Sequence, residues 1–220
     1  MSRRRKLLFW SIFIFAPILF PALVFASLAC YSAYHNPMPQ NYTQSAFNNI
    51  EKKILSEPIT LKIVTYNIQD TWVVGQNRPE RMYAIAKKLA ELDPDIVGFQ
   101  ESFIPKDREI LIKELTTKSR LKYYQYYRSG LLGSGMFTMS AFPIREGFYH
   151  RYKKAGYWYC LWEGDWWAGK GCALARIELP GAGFLDFYNT HMQAGYGNEN
   201  YRSIKEAQAR ELAEFINIST

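Results

Sequence analysis

Asp95-Ile96-Val97-Gly98-Phe99-Gln100-Glu101 is a short apolar run that finishes on a carboxylate, and the residues before it decide the fold class. Upstream, Ile59-Thr60-Leu61-Lys62-Ile63-Val64-Thr65-Tyr66-Asn67-Ile68 alternates apolar and polar side chains and is rich in branched residues. That is the pattern of a strand, with Asn67 near its end. Between the two runs, Arg78-Pro79-Glu80-Arg81 opens a helix. Its apolar positions Met82, Ile85, Leu89 and Leu92 keep the helical period until Asp93-Pro94 stops it. Strand, helix and strand within about 40 residues make a βαβ-like unit, which sets the class as α/β.

The same rules place a helix over residues 106–118, strands over 122–127, 135–141, 146–152, 171–179 and 184–190, and a closing helix over 199–216. The last strand follows the turn at Pro180-Gly181 and runs into Tyr188-Asn189-Thr190-His191-Met192-Gln193-Ala194. Asn67, Glu101 and His191 each stand at the carboxyl end of an expected strand, the end beyond which sheets of this class bind ligands. A glutamate and an asparagine oxygen are hard donors suited to Mg²⁺, which keeps several waters and is usually completed by a substrate phosphate. A histidine beside them could donate to a phosphate oxygen. Taken singly, each residue has a plainer reading: a hydrogen-bonded structural histidine, a solvated strand-end carboxylate and a turn-forming asparagine.

Charge and hydropathy narrow the class of partner. The formal net charge is +7, but Arg3, Arg4, Arg5 and Lys6 precede an apolar run, and without them 23 basic residues face 20 acidic ones. The remaining +3 is an ordinary surface with no basic stripe, so nucleic acid is not the expected partner. Leu7 to Ala29 is uncharged and, as a helix rising about 1.5 Å per residue, is long enough to span a bilayer core. The basic cluster ahead of it puts the rest of the chain on the extracytoplasmic side. Ser27-Leu28-Ala29 would also suit a cleaved signal, but the length favours an uncleaved anchor. The expected organisation is a signal-anchor or transmembrane segment over 1–30, a tether over 31–58 with a short helix near 46–55, and a folded domain over 59–220.

Two cysteines fall in the domain, Cys160 and Cys172; they could pair after export or stand as two buried thiols. Aromatic residues crowd the stretch from Tyr149 to Trp167. Tyr157-Trp158-Tyr159, Leu161-Trp162 and Trp166-Trp167 are expected to form a loop meeting a lipid interface, because these rings favour the headgroup level. The competing reading is that they are core.

Tyr66-Asn67-Ile68, Gly98-Phe99-Gln100-Glu101, Gly133-Ser134-Gly135-Met136-Phe137 through Phe142-Pro143-Ile144, and Asn189-Thr190-His191 with Ala194 form an ordered set. That set resembles the endonuclease/exonuclease/phosphatase superfamily. Gly164-Asp165-Trp166-Trp167-Ala168-Gly169-Lys170-Gly171, the run Thr190 to Tyr196 and the helix Ala207 to Ile216 narrow the resemblance to the neutral sphingomyelinases. The resemblance covers about Leu61 to Ile216 and implies a DNase I-like α/β sandwich of two sheets with helices outside. It also implies Mg²⁺-dependent hydrolysis of a sphingomyelin-like phospholipid to ceramide and phosphocholine, at a phospholipid membrane.

By that resemblance Glu101 holds the metal, Asn67 helps position metal or phosphate, and His191 binds the scissile phosphate. Asp165 and Lys170 match an Asp and a Lys linked to activity and to anionic lipid. Without the resemblance this pair reads as an exposed loop salt bridge worth little. Trp162 and Trp166 are the expected lipid contacts. The family's later Gly-Asp-x-Asn and Ser-Asp-His signatures do not occur before Thr220. The expectation is therefore a domain whose C-terminal part is missing, which binds better than it turns over. The alternatives are a non-catalytic lipid-binding remnant and a DNase-like nuclease of the same superfamily.

Overall fold

The structure is a computed structural model that describes residues 16–27, 30, 58–72, 75–157, 159–160, 163–197 and 199–219. Its elements are β1 (Ile63–Asp70), α1 (Arg78–Leu92), β2 (Ile96–Ser102), α2 (Pro105–Lys118), β3 (Tyr123–Tyr127), β4 (Met136–Ser140) and β5 (Ile144–Arg151). A short α3 (Asp165–Ala168), β6 (Gly171–Leu179), β7 (Gly183–His191) and α4 (Asn200–Ser219) complete the order. One sheet runs β1-β2-β4-β3 and the other β5-β6-β7. β1 and β2 are parallel, as the helix between them requires, and every other pairing is antiparallel.

Strand alternation sorts the side chains into layers. In β2, Val97 and Phe99 point outward and are sealed by Met82, Ile85, Ala86 and Leu89 of α1 and by Leu111 and Leu115 of α2. Ile96 points the other way, into a core shared with Tyr127, Met136, Tyr149, Ala173, Ala175 and Ile177 of both sheets. Outside the second sheet, Phe215 of α4 closes on Phe148, Tyr152, Cys172 and Leu174. Helices, sheet, sheet and helix therefore stack as the expected two-sheet α/β sandwich. Sheet two has three strands against four, so the inner face of β1 stays open, and Ile63 remains 50% exposed.

Differences from the sequence reading lie at the ends of elements. Residues 59–62 alternate like a strand, but ordered pairing starts at Ile63, where the Asp95 carboxylate accepts the Lys62 amide at 2.7 Å and the Asp95 amide returns to the Lys62 carbonyl at 2.8 Å. α3 was not expected: a single turn held between Gly164 and Gly169, both in the left-handed region. Cys160 and Cys172 are both free thiols, the second buried, and burial pushes its pKa up to about 12. Of the expected anchor, residues 16–27 are helical and exposed, and among the described residues no helix is long and apolar enough to cross a membrane. The short helix expected near 46–55, along with Trp158, Leu161 and Trp162, lies outside the described residues.

One polar group in this frame escapes sequence reading. Asp70 is fully buried at the end of β1, accepting the Ile104 amide at 3.1 Å beside Asp107 and Arg78. Burial first, and then the Asp107 carboxylate, lift its pKa to about 7, against the pull of the Ile104 amide and Arg78. The unfolded chain releases this proton near pH 3.8, whereas the folded chain holds it to about 7. Stability from this group is therefore complete below the lower value and lost as pH rises through the upper one. Asp70→Asn keeps an acceptor for Ile104 and a donor toward Asp107. It is expected to stabilise the protein at pH 8 by on the order of 2 kcal/mol and by nothing measurable at pH 4. Urea unfolding at the two pH values checks this; an equal effect at both would dismiss the proton.

Candidate active site

The carboxyl ends of β1 and β2 carry an irregularity that shapes the site. Asn67 pairs with Gln100, yet the next pair is Asp70 with Ser102, so β1 has one residue too many. A bulge of this kind re-aims side chains. Gln69 and Glu101 take up the mismatch at φ 48° and 59°, a region that residues with a Cβ seldom enter. Gly135 makes room on the opposite side: a Cβ there would lie 3.1 Å from the Glu101 Cα and 2.8 Å from the Phe103 ring. Asn67 then donates through Nδ2 to Glu101 Oε1 at 2.7 Å, while its own Oδ1 accepts the Gln69 amide at 3.0 Å. One end of the Asn67 amide thus holds Glu101, and the other is itself held by the β1 backbone.

The second sheet supplies the opposing wall. His191 ends β7 opposite Gly171, and its Nε2 comes within 3.7 Å of Glu101 Oε1, joining the two sheets across the crevice. Lys170, the residue before β6, lies 3.0 Å from His191 Nδ1 and 3.1 Å from Nε2. The in-plane lone pairs of the two nitrogens diverge, so an ammonium equidistant from both is aimed squarely at neither. Burial, followed by the Lys170 charge, pushes the imidazole down to about 4, with Asp165 opposing. His191 is therefore neutral at physiological pH and its contact with Glu101 is not an ion pair. Burial also lowers the Lys170 pKa, and Asp165 and Glu101 pull it back up.

Asp165 and Lys170 are not the exposed loop pair that residue chemistry alone suggests. They are 6% and 5% exposed and 3.0 Å apart. The other Asp165 oxygen accepts Gln193 Nε2 and the Ala194 amide, each at 2.8 Å. Gln193 accepts the Gly156 amide at 2.9 Å, and its own amide donates to Gln208 Oε1 of α4 at 2.9 Å. The loop before α3, the exit of β7 and the inner face of α4 are thus tied to one carboxylate.

Beneath the crevice Asn189 bridges the sheets, donating to the Phe99 carbonyl at 3.0 Å and accepting Gln100 Nε2 at 2.6 Å. Gly98 allows this approach, since a Cβ on it would meet Asn189 Cγ at 3.0 Å. Asn189, Gln100, Gln193 and Gln208 were not singled out as site residues. The signal for Gln100 was available, as it shares the inward strand phase of Ile96 and Gly98, where an amide needs a partner across the sandwich. Trp166 is half-buried on α3 with its ring edge to face with Trp167 at 4.9 Å; Trp162 is outside the described residues.

The residues present suit a hard cation. Glu101 Oε1 is occupied by Asn67, which leaves Oε2 as a carboxylate oxygen at the mouth of the crevice. Mg²⁺ is commonly bound by one or two carboxylates, with waters and phosphate completing its shell. Among the described residues no three of His, Cys, Asp and Glu gather into a denser metal site.

No protein-family model matches the chain. It is 36% identical over 160 residues to a Drosophila melanogaster protein that carries the neutral sphingomyelinase name, covering 72% of this chain and 36% of that one. It is 34% identical over 158 residues to inositol phosphosphingolipids phospholipase C of Schizosaccharomyces pombe (71% and 37%), and 33% identical over 166 residues to sphingomyelin phosphodiesterase 2 of Mus musculus (74% and 38%). The chain thus spans little more than a third of the length of these curated relatives. Among solved structures, sphingomyelinase C from Streptomyces griseocarneus superposes with a TM-score of 0.61 at 21% identity, covering 73% of this chain and 59% of that one. A beta toxin variant from Staphylococcus aureus with bound magnesium ions gives 0.60 at 21%, covering 71% and 59%. The bulge at Glu101, the His191 wall and the buried Asp165–Lys170 pair fall on the motifs that carry the resemblance read from the sequence, and the chain is similar to the neutral sphingomyelinases in sequence and to sphingomyelinase C in fold.

Proposed function

We propose that this domain engages the phosphodiester of a sphingomyelin-like phospholipid in the Glu101–His191 crevice, with Mg²⁺ held by Glu101, and belongs to a phosphodiesterase releasing ceramide and phosphocholine. The observation that carries the reading is the convergence of a fixed carboxylate, a neutral histidine and a buried lysine at the ends of strands from two sheets. A magnesium ion supplies charge neutralisation and polarisation at the phosphoryl oxygens. Asn67 orients the Glu101 carboxylate. His191 offers an N–H to a phosphate oxygen, and the Lys170 ammonium behind it adds positive potential where negative charge gathers. Asp165 holds that ammonium in place.

Approach to a lipid surface draws support from exposed aromatic rings. Tyr66, Trp72, Tyr159 and Tyr196 are exposed, and Phe25 of the apolar N-terminal helical stretch meets Trp167 edge to face at 6.1 Å. Rings of this type settle at the headgroup level, and an extracytoplasmic, membrane-anchored domain fits the basic residues ahead of that stretch.

Calorimetric titration of the full chain with choline phosphate, with Mg²⁺ and with chelator, tests the reading. Binding is expected with Mg²⁺ only, and Glu101→Gln should abolish it. Equal binding with chelator, or by the Gln variant, would remove Glu101 as the metal ligand. Release of choline phosphate from sphingomyelin micelles reads turnover; magnesium-dependent binding without release would select the non-catalytic lipid-binding reading.

A further inference from the structure

Successive side chains of a strand point to opposite faces, and the inward phase of β2 belongs to Ile96, Gly98 and Gln100. A regular Glu101 would share the outward phase of Val97 and Phe99 and face the helices. Its left-handed kink, at φ 59°, turns the carboxylate back toward Asn67 and His191 instead. A residue with a Cβ stays in that region only where its surroundings hold it there. Asn67 restrains the carboxylate and not the backbone, so the kink has to be held from the residues that follow.

Those residues are gripped from three directions. The Gly135 carbonyl, just before β4, accepts the Ser102 amide at 2.9 Å. Asp70 of β1 takes the next two amides, Phe103 on its carbonyl at 3.3 Å and Ile104 on its carboxylate at 3.1 Å. Arg108 of α2 donates from its guanidinium to the Ser102 carbonyl at 2.7 Å. Two of these grips are therefore side chains, and both are themselves fixed. Asp70 is fully buried, so no water competes for the Ile104 amide. The Arg108 guanidinium lies 3.6 Å over the centre of the Tyr126 ring, where a planar cation stacks well.

We propose that Asp70 and Arg108 are positioning residues for Glu101: by gripping Ser102 and Ile104 they hold the kink that turns the carboxylate into the crevice, and so set its affinity for Mg²⁺. The affinity part rests on the reading of Glu101 as the magnesium ligand. The positioning part is independent of any metal.

The full chain is to be compared with three variants. Arg108→Met keeps apolar packing over Tyr126 and removes the donor to Ser102, Asp70→Ala removes the acceptor for Ile104, and Asp70→Asn keeps one. The metal-free readout is the Asn67 side-chain amide signal in NMR, which reports the hydrogen bond to Glu101. The side-chain amide of Gln193, on the opposite wall and 2% exposed, is the internal control. The Asn67 signal is expected to move to that of a free amide in Arg108→Met and Asp70→Ala and to stay in place in Asp70→Asn, with Gln193 unmoved throughout. Titration with Mg²⁺ alone should show affinity about tenfold weaker in the first two variants and within about twofold of wild type in the third. If Asp70→Ala does not fold, Arg108→Met, at a half-buried position, decides alone. An Asn67 signal indifferent to Arg108→Met overturns the positioning role, and so does a Gln193 signal that moves with it, which would mean general loosening. If the wild type takes up no Mg²⁺ while the Asn67 signal still follows Arg108, the metal reading of Glu101 falls and the positioning role stands.

Discussion

Lys170→Met is expected to destabilise the protein by about 3 kcal/mol at pH 7, because it breaks a buried pair from one side. Asp165, 6% exposed, would keep the Gln193 and Ala194 donors but lose its only cationic partner among the described residues. Those two donors hold the cost at the low end of what breaking such pairs usually brings. A second readout isolates electrostatics from packing. The Lys170 charge is the second cause of the low His191 pKa, after burial, so removing it should raise the imidazole from about 4 while leaving it below the ordinary 6.5.

The sign of the pH dependence follows. Between 6.5 and about 4 the unfolded chain protonates this histidine and the folded chain does not. Its contribution is therefore complete above 6.5 and lost as pH falls toward 4, by up to about 3 kcal/mol in the wild type. In Lys170→Met that acid loss should shrink. NMR titration of His191 with urea unfolding at pH 7 and 4.5 measures both, and an unmoved imidazole pKa would rule out the electrostatic link between Lys170 and His191.

Asn189→Ala should cost about 3 kcal/mol and lower Tm by roughly 6–12 °C. Asn189 is 4% exposed, and truncation removes both an acceptor for Gln100 and a donor to Phe99 while opening a space between the sheets. Asn189→Leu restores the volume without the hydrogen bonds. If the bridge matters for its polarity, Leu should be nearly as damaging as Ala. Recovery by Leu to within about 0.5 kcal/mol of wild type would show that Asn189 only fills space. Choline phosphate affinity with Mg²⁺ should fall along with stability, since Gln100 precedes Glu101 and the bridge fixes the strand that presents it.

Local pattern carried much of this molecule. The alternation at 63–68, the helical period at Met82, Ile85 and Leu89, and the apolar run at 96–100 depend on neighbours a few residues apart, and all became the elements they resemble. The unit they build puts Asn67 and Glu101 at adjacent strand ends, so that half of the site was legible from the βαβ pattern. Residues 59–62 show where pattern fails: alternation marks a chain able to pair and says nothing about whether a neighbour is there.

Residue types and short-range periodicity by themselves determined the α/β class, the main elements and the strand-end positions of Asn67, Glu101 and His191. Only tertiary structure decided that Asn67 holds Glu101 through its Nδ2, that Asp165 and Lys170 are buried together, that His191 is neutral and that Asn189 ties one sheet to the other. Each of these depends on groups far apart in the chain, such as Gln100 and Asn189 at 89 residues' separation or Asp165 and Ala194 at 29. Burial and charge act through space, and a sequence records distance only along the chain.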